Sequence, residues 1–308
     1  MQLQSRAQRN CPVCGSAPDK AQVFFSEHID TSKLNEFSFA SRKEPEYLCY
    51  QMVQCTECDL VYVDRPPSQE ALAEVYHAAE YDSSEEADDA AAAYAHVIQS
   101  AIKRVQLNSA LEIGTGTGVF LDKLKAMGFT TVTGIEPSTA AISAAPAHRH
   151  GWIREGIFVE SDYEPESFDL ICCFMTMEHV REPAEIANSV LRLLKPGGAF
   201  VTVTHDYRSV VNRLMGRRSP IVDIEHMQLF SARSIANLFT RCGYTNVQAR
   251  PFANRYALRY WMRLAPLPAG IKNLAQRFIE STGLERLKIS ANVGNTVAFG
   301  YKPMDRRD

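Results

Sequence analysis

Ala110-Leu111-Glu112-Ile113 runs directly into Gly114-Thr115-Gly116-Thr117-Gly118, and few folds accommodate that junction. The first four residues read as a short buried strand. Three glycines in five positions then make a turn tight enough for a ligand to touch backbone. A helical pattern follows at Val119, Phe120, Leu121, Leu124 and Met127, closed by Gly128, and Thr131 to Glu136 reads as a second strand with a carboxylate at its tip. Strand, glycine turn, helix, strand and an acid about 20 residues on form the nucleotide-binding half of a doubly wound sheet, the acid taking ribose hydroxyls.

The spacing also bears on which nucleotide. A dinucleotide fingerprint sets its third glycine further from the second than one residue, and here only Thr117 separates Gly116 from Gly118. Glu112 stands just before the loop, badly placed beside a pyrophosphate but well placed for an ammonium or sulfonium group. That favours S-adenosylmethionine over NAD, and it weighs against a purely structural turn.

Further along, Ser167 to Phe174 is an apolar strand, a helix runs through Ile186, Val190, Leu191 and Leu194, and Lys195-Pro196-Gly197-Gly198 leads into Ala199 to Thr204. With EIGTGTG, GIEPS, FDLICCFMTMEHV and LLKPGGAFVTVT in place, residues from about 108 to 250 resemble the class I S-adenosylmethionine-dependent methyltransferases. The resemblance implies an α/β fold with a seven-stranded Rossmann-like sheet whose last strand is reversed, Asn295 to Tyr301 being the candidate. It implies a cofactor site of Glu112, Gly114, Gly116, Gly118, Glu136, Phe174 and Tyr81.

Four of the eight cysteines form two matched pairs, Cys11-x-x-Cys14 and Cys55-x-x-Cys58. Each pair can clamp one edge of a tetrahedral ion, and four thiolates close the shell, so a structural zinc is expected. A redox dithiol would need no twin. Strands are expected to fill the interval, with Phe24-Phe25 and Tyr47 to Tyr50 as candidates. Cys49, Cys172, Cys173 and Cys242 lie in apolar runs and read as small buried hydrophobes. The ribbon, with Pro66-Pro67, Tyr76 and Tyr81 after it, resembles a bacterial branch that includes deoxysugar C-methyltransferases.

The expected organisation is a zinc ribbon over 1–66, a helical linker over 67–107, and a methyltransferase domain over 108–308 with a helical insertion at about 253–293 before the last strand. In the linker, Glu85, Glu86, Asp88 and Asp89 crowd a helix start behind Ser83 and Ser84, where negative charge is favourable. The 33 basic and 36 acidic residues give a net charge of −3, which argues against a mainly nucleic-acid-binding protein. Residues 1–66 hold 7 basic and 9 acidic side chains, against the rival reading of an rRNA or tRNA methyltransferase gripping RNA through the ribbon. A non-catalytic cofactor-binding protein is the other rival. No run of 18 apolar residues predicts a transmembrane helix, and the N-terminus lacks the apolar core of a signal peptide, so a cytoplasmic setting is expected.

Methyl transfer to a hydroxyl or acidic carbon needs a proton acceptor at the carboxyl ends of the strands. Three loops qualify: Glu178-His179, His205-Asp206-Tyr207 and Glu225-His226. The third is preferred, because Glu-His-x-x-x-Phe-Ser resembles the stretch that supplies a Glu-His pair in the deoxysugar enzymes. His226 is then the general base, Glu225 its support and His205 a substrate contact, with a packing role for His226 as the competing reading. The tail from 251 to 308 holds 10 basic and 4 acidic residues. Arg255, Arg259 and Arg263 recur at four-residue spacing, predicting a basic helix over 254–264 that lids the site, holds a substrate phosphate, meets an anionic membrane, or simply packs. The expected substrate is a small or carbohydrate-like metabolite.

Overall fold

The computed structural model describes residues 8–30, 32, 38–39, 46–79, 85–265, 267 and 269–304. The N-terminal part supplies β1 (Ala21–Phe25), β2 (Met52–Cys55) and β3 (Val61–Val63), followed by α1 (Gln69–His77), α2 (Glu85–Val97) and α3 (Gln99–Ile102). Next come β4 (Ser109–Ile113), α4 (Val119–Ala126), β5 (Thr131–Glu136), α5 (Thr139–Ala144), α6 (Ala147–His150), β6 (Ile153–Glu155), β7 (Phe168–Phe174), α7 (Pro183–Leu193) and β8 (Leu194–His205). The chain closes through α8 (Val210–Met215), β9 (Gln228–Leu229), α9 (Ala232–Arg241), β10 (Thr245–Ala257), α10 (Leu258–Leu264), α11 (Ala269–Ser281) and β11 (Lys288–Tyr301).

The main sheet has seven strands in the order β10-β11-β8-β7-β4-β5-β6. β4 pairs in parallel with β5 and β7, and β7 in parallel with β8, whereas β11 runs antiparallel to both β8 and β10. This is the α/β sheet with a reversed last strand that the sequence predicts. All seven residues of β7 are buried, as a central strand covered on both faces requires. Leu170, Cys172 and Phe174 face the layer of α2 and α4, and Ile171 and Cys173 face the layer of α7 and α9, the period of two of a pleated strand. The chain leaves β4 toward β5 on one side and returns to β7 on the other, so the crevice at the carboxyl end of β4 is a topological switch point, where such sheets bind ligands.

The N-terminal sheet has the order β1-β2-β3-β9, and β9 comes from far along the chain, pairing Val61 with Leu229 and Tyr62 with Gln228. The ribbon is thus bonded to the segment that follows His226. Tyr47 to Tyr50 forms no strand, only a single bridge between Cys49 and His28.

The insertion departs from its expected form. Residues up to Ala257 pair with β11 as far as Lys288, while β8 pairs only from Asn295 onward, so the β10–β11 hairpin projects past the sheet and carries α10 and α11 at its tip. Arg255 lies in that hairpin opposite Ser290, and only Arg259 and Arg263 of the expected basic face are helical. Cross-strand hydrogen bonding overrides the helical spacing there. No helix among the described residues is long and apolar enough to cross a membrane.

Candidate active site and cysteine cluster

The glycine loop joins β4 to α4, and its three glycines all hold positive φ: +75° at Gly114, +56° at Gly116 and +70° at Gly118. Their surroundings separate their roles. A Cβ on Gly114 would meet Thr176 Oγ1 at 2.3 Å, so packing forbids a side chain there. A Cβ on Gly116 would meet nothing within 4 Å, because Gly116 faces a cavity of about 840 Å³. That volume lies within the range of small-molecule sites.

The two expected acids line this cavity. Glu136, at the tip of β5, accepts hydrogen bonds from the backbone N–H of Gly116 (2.7 Å) and of Ser138 (2.9 Å). Burial pushes its carboxyl up, and the two amides pull it back down. Glu112 is buried beneath the loop and accepts from the Thr115 hydroxyl at 2.5 Å. Phe174 closes β7 against Tyr94 and Phe120, with ring centroids 4.6 and 4.8 Å away, and lines the cavity. Met175, the next residue, takes φ +51°, a conformation costly for a non-glycine residue and often found beside ligand sites. Tyr81 lies outside the described residues.

All three candidate loops reach the same cavity. The ring of His226 lies 4.9 Å from that of His179 and 5.7 Å from that of His205. His226 is buried, and its Nδ1 lies 2.8 Å from the carbonyl of Ile221. A carbonyl only accepts, so Nδ1 carries the proton and Nε2 is the basic nitrogen. His205 Nδ1 lies 2.9 Å from Asn295 Oδ1 on the neighbouring strand, and burial, with His226 beside it, pushes the ring down to about 3, so it is neutral at physiological pH. His179 Nδ1 lies 3.1 Å from the Tyr76 hydroxyl and 3.6 Å from Glu225 Oε2. Glu225, expected as the support of His226, has its carboxylate beside His179, and a carboxylate oxygen also lies within 4.8 Å of a ring nitrogen of His226. The Tyr76 hydroxyl donates to the Glu225 carbonyl at 3.1 Å. Burial above all, then Glu225, pushes the Tyr76 phenol well up, so it stays a donor.

Glu178 is a strut under these loops. Its carboxylate accepts the backbone N–H of His205 at 2.6 Å, and its carbonyl accepts that of Met227 at 2.8 Å. Asp206 and Tyr207 point elsewhere, the Tyr207 hydroxyl donating to Asp59 Oδ1 at 2.8 Å.

The four expected cysteines converge, with sulfurs all within 4.8 Å of one another. Cys11 and Cys58 lie 3.4 Å apart and Cys14 and Cys55 3.5 Å apart. Each Cys-x-x-Cys turn closes through a left-handed residue, Gly15 at φ +73° and Asp59 at φ +71°. Zn–S bonds of about 2.3 Å in a tetrahedron set sulfurs about 3.8 Å apart, so the donor set fits zinc with small adjustments. The Cys58 thiol donating to Cys11 draws Cys11 down to about 5 and holds Cys58 up, and a bound cation would hold both as thiolates with release of the Cys58 proton.

Two side chains that carried no signal in the sequence tie this cluster to the active site. Asp59 accepts from Arg208 Nε (2.7 Å), the Ser231 hydroxyl (2.7 Å) and Gln54 (2.9 Å). Burial raises its carboxyl, but these donors outweigh burial and hold it below the usual range. Arg9 donates to the carbonyls of Val63 (2.9 Å), Met227 (3.2 Å) and Arg181. Tyr76 entered the sequence reading only through a resemblance. Asn295 was seen only as part of a strand.

A family model described as "Methyltransferase domain" matches residues 60–249, more than half of the chain. Curated relatives include the "Ubiquinone biosynthesis O-methyltransferase" of Pseudomonas putida, 29% identical over 117 residues, which cover 34% of this chain and 49% of that protein. The protein of the same name from Paracidovorax citrulli is 28% identical over 170 residues, covering 48% of this chain and 70% of that one. The chain thus spans about half the length of the first of these relatives. Among solved structures, a SAM-dependent methyltransferase from Thermotoga maritima, described as a possible histamine N-methyltransferase, aligns with a TM-score of 0.46 at 19% identity, covering 70% of this chain and 90% of that one. With the family model spanning strand, glycine loop and switch-point crevice alike, the chain belongs to the methyltransferase-domain family.

Proposed function

We propose that the protein transfers the methyl group of S-adenosylmethionine to a hydroxyl oxygen or acidic carbon of a small, carbohydrate-like acceptor, with His226 as general base. The observation that carries this reading is the convergence of His179, His205 and His226 from three loops on the cavity that holds the glycine loop. Bound S-adenosylmethionine supplies a methyl group already activated on a sulfonium. The chain's own residues do the rest. Gly116 leaves room for the adenosine and Glu136 takes the ribose hydroxyls, exchanging the Gly116 amide for them. Glu112 supplies negative charge toward the cationic end.

His226 is held by the Ile221 carbonyl with Nε2 as the proton acceptor. Tyr76, His179 and Glu225 form one hydrogen-bonded set beside it, which orients the acceptor and stabilises an imidazolium on His226. His205, neutral in its buried setting, hydrogen-bonds the acceptor. A hydroxyl acceptor agrees with the O-methyltransferase names of the relatives. Cys11, Cys14, Cys55 and Cys58 hold a structural zinc, which closes the shell and fixes the ribbon against the His226 segment.

The test is tritium transfer from labelled cofactor to a panel of glycosides, sugar nucleotides and phenols, followed by His226→Ala on the acceptor found. Loss of a general base costs about 10²–10⁴-fold in kcat and leaves cofactor affinity near normal. Near-normal kcat for His226→Ala, with collapse for His179→Ala or His205→Ala, would move the base to that other loop.

A further inference from the structure

Beyond the transfer site, two helices near the cavity carry exposed apolar side chains among the described residues. On α11, Ile271, Leu274 and Phe278 are 56%, 72% and 61% exposed. Spacings of three and four place them on one side of the helix, while Ile279 turns inward. On α8, Val210 and Leu214 are 72% and 82% exposed, one turn apart. Val211 and Met215 of α8 line the cavity, as do Tyr260, Trp261 and Leu264 of α10, against which α11 packs.

Charge gathers in the same two segments. Residues 254–288 hold seven Arg or Lys against two Glu, and residues 208–218 hold four Arg and no acid, in a chain of net charge −3, with Arg208 and Lys288 paired to Asp59 and Asp89. Uncovered apolar helix faces bordered by cations have the composition of interfacial membrane helices. A second copy of the chain is the poorer occupant, because it would set two basic faces against each other.

We propose that α11 and α8 dock on an anionic lipid bilayer, so that the cavity mouth opens toward the membrane surface. The apolar side chains enter the headgroup boundary and the exposed Arg213, Arg218 and Arg277 meet lipid phosphates. Each basic residue near such a surface contributes about 1 kcal/mol, roughly a fivefold change in partition. The proposal concerns docking alone and stands apart from the identity of the base or acceptor.

The experiment is sedimentation of the full chain with vesicles of phosphatidylcholine containing about one third phosphatidylglycerol, beside pure phosphatidylcholine vesicles and a high-salt arm. We expect partition at least tenfold stronger onto the anionic vesicles, lost in high salt and lost in Leu274→Asp/Phe278→Asp. The double variant should keep its circular dichroism and its calorimetric affinity for S-adenosylmethionine, since both positions face solvent. Absence of wild-type binding, or equal binding to neutral vesicles, overturns the proposal. So does a wild-type dimer in gel filtration that the double variant dissociates, which would assign the face to a second copy.

Discussion

Replacing Glu178 with glutamine removes a carboxyl that is wholly buried where the three loops meet. Its Oε1 accepts the His205 N–H at 2.6 Å, and its Oε2 has no partner among the described residues. Burial pushes the acid from 4.5 up to about 8, with the His205 amide pulling the other way. Between these two values the folded chain keeps a proton that the unfolded chain has released. Stability is therefore fully present below pH 4.5 and is lost as pH rises toward 8, at about 1.4 kcal/mol per pH unit. His205 works in the opposite sense. Burial first, then His226, pushes its ring from 6.5 down to about 3, so its contribution is present above 6.5 and lost as pH falls.

The two cancel between 4.5 and 6.5, which leaves the wild type on a plateau there and about 2 kcal/mol less stable by pH 8. Glutamine keeps the carbonyl acceptor for His205 and mimics the protonated acid. Glu178→Gln should then gain about 2 kcal/mol between pH 5 and 6.5 and stay level to pH 8, so its advantage over wild type grows by about 4 kcal/mol from pH 5 to 8. Urea denaturation at about pH 5, 6.5 and 8 measures this, since groups common to both proteins drop out of the difference. Parallel stability curves for variant and wild type would refute the buried, protonated Glu178.

Gly116→Val should weaken S-adenosylmethionine binding at least tenfold by calorimetry, with a stability loss of only about 1–2 kcal/mol from its left-handed φ; wild-type affinity in the variant would place the cofactor elsewhere. Metal analysis of a reducing preparation should return one zinc per chain, and Cys14→Ser should release it and destabilise the N-terminal sheet while cofactor binding persists. Well below half an equivalent in the wild type would remove the zinc.

Some of this site is local in sequence and some is not. The glycine loop, Glu112 and Glu136 sit on one strand-turn-helix-strand unit, so the residues themselves place them together. The two Cys-x-x-Cys turns are likewise local, and four soft ligands leave few other uses for the pairs. Ser231 starts α9, and the structure closes that start with a capping box to Ser234.

The three histidines are different: His179, His205 and His226 follow separate elements, and the sequence made them competitors for one role. The sheet makes them neighbours, because parallel strands deliver every following loop to the same edge. Helical spacing misled at Arg255, where pairing with Ser290 holds the chain extended. Asp59 and Arg9 gave no signal, since a residue's value as a tie depends on hydrogen-bond partners more than a hundred positions away. What the sequence alone determined is the chemistry carried by contiguous turns: the nucleotide loop, its acids and the cysteine pairs. Tertiary structure alone decided which histidines meet, that Glu225 lies beside His179 as well as His226, and that the ribbon's fourth strand follows His226, because long-range strand pairing and burial set those contacts.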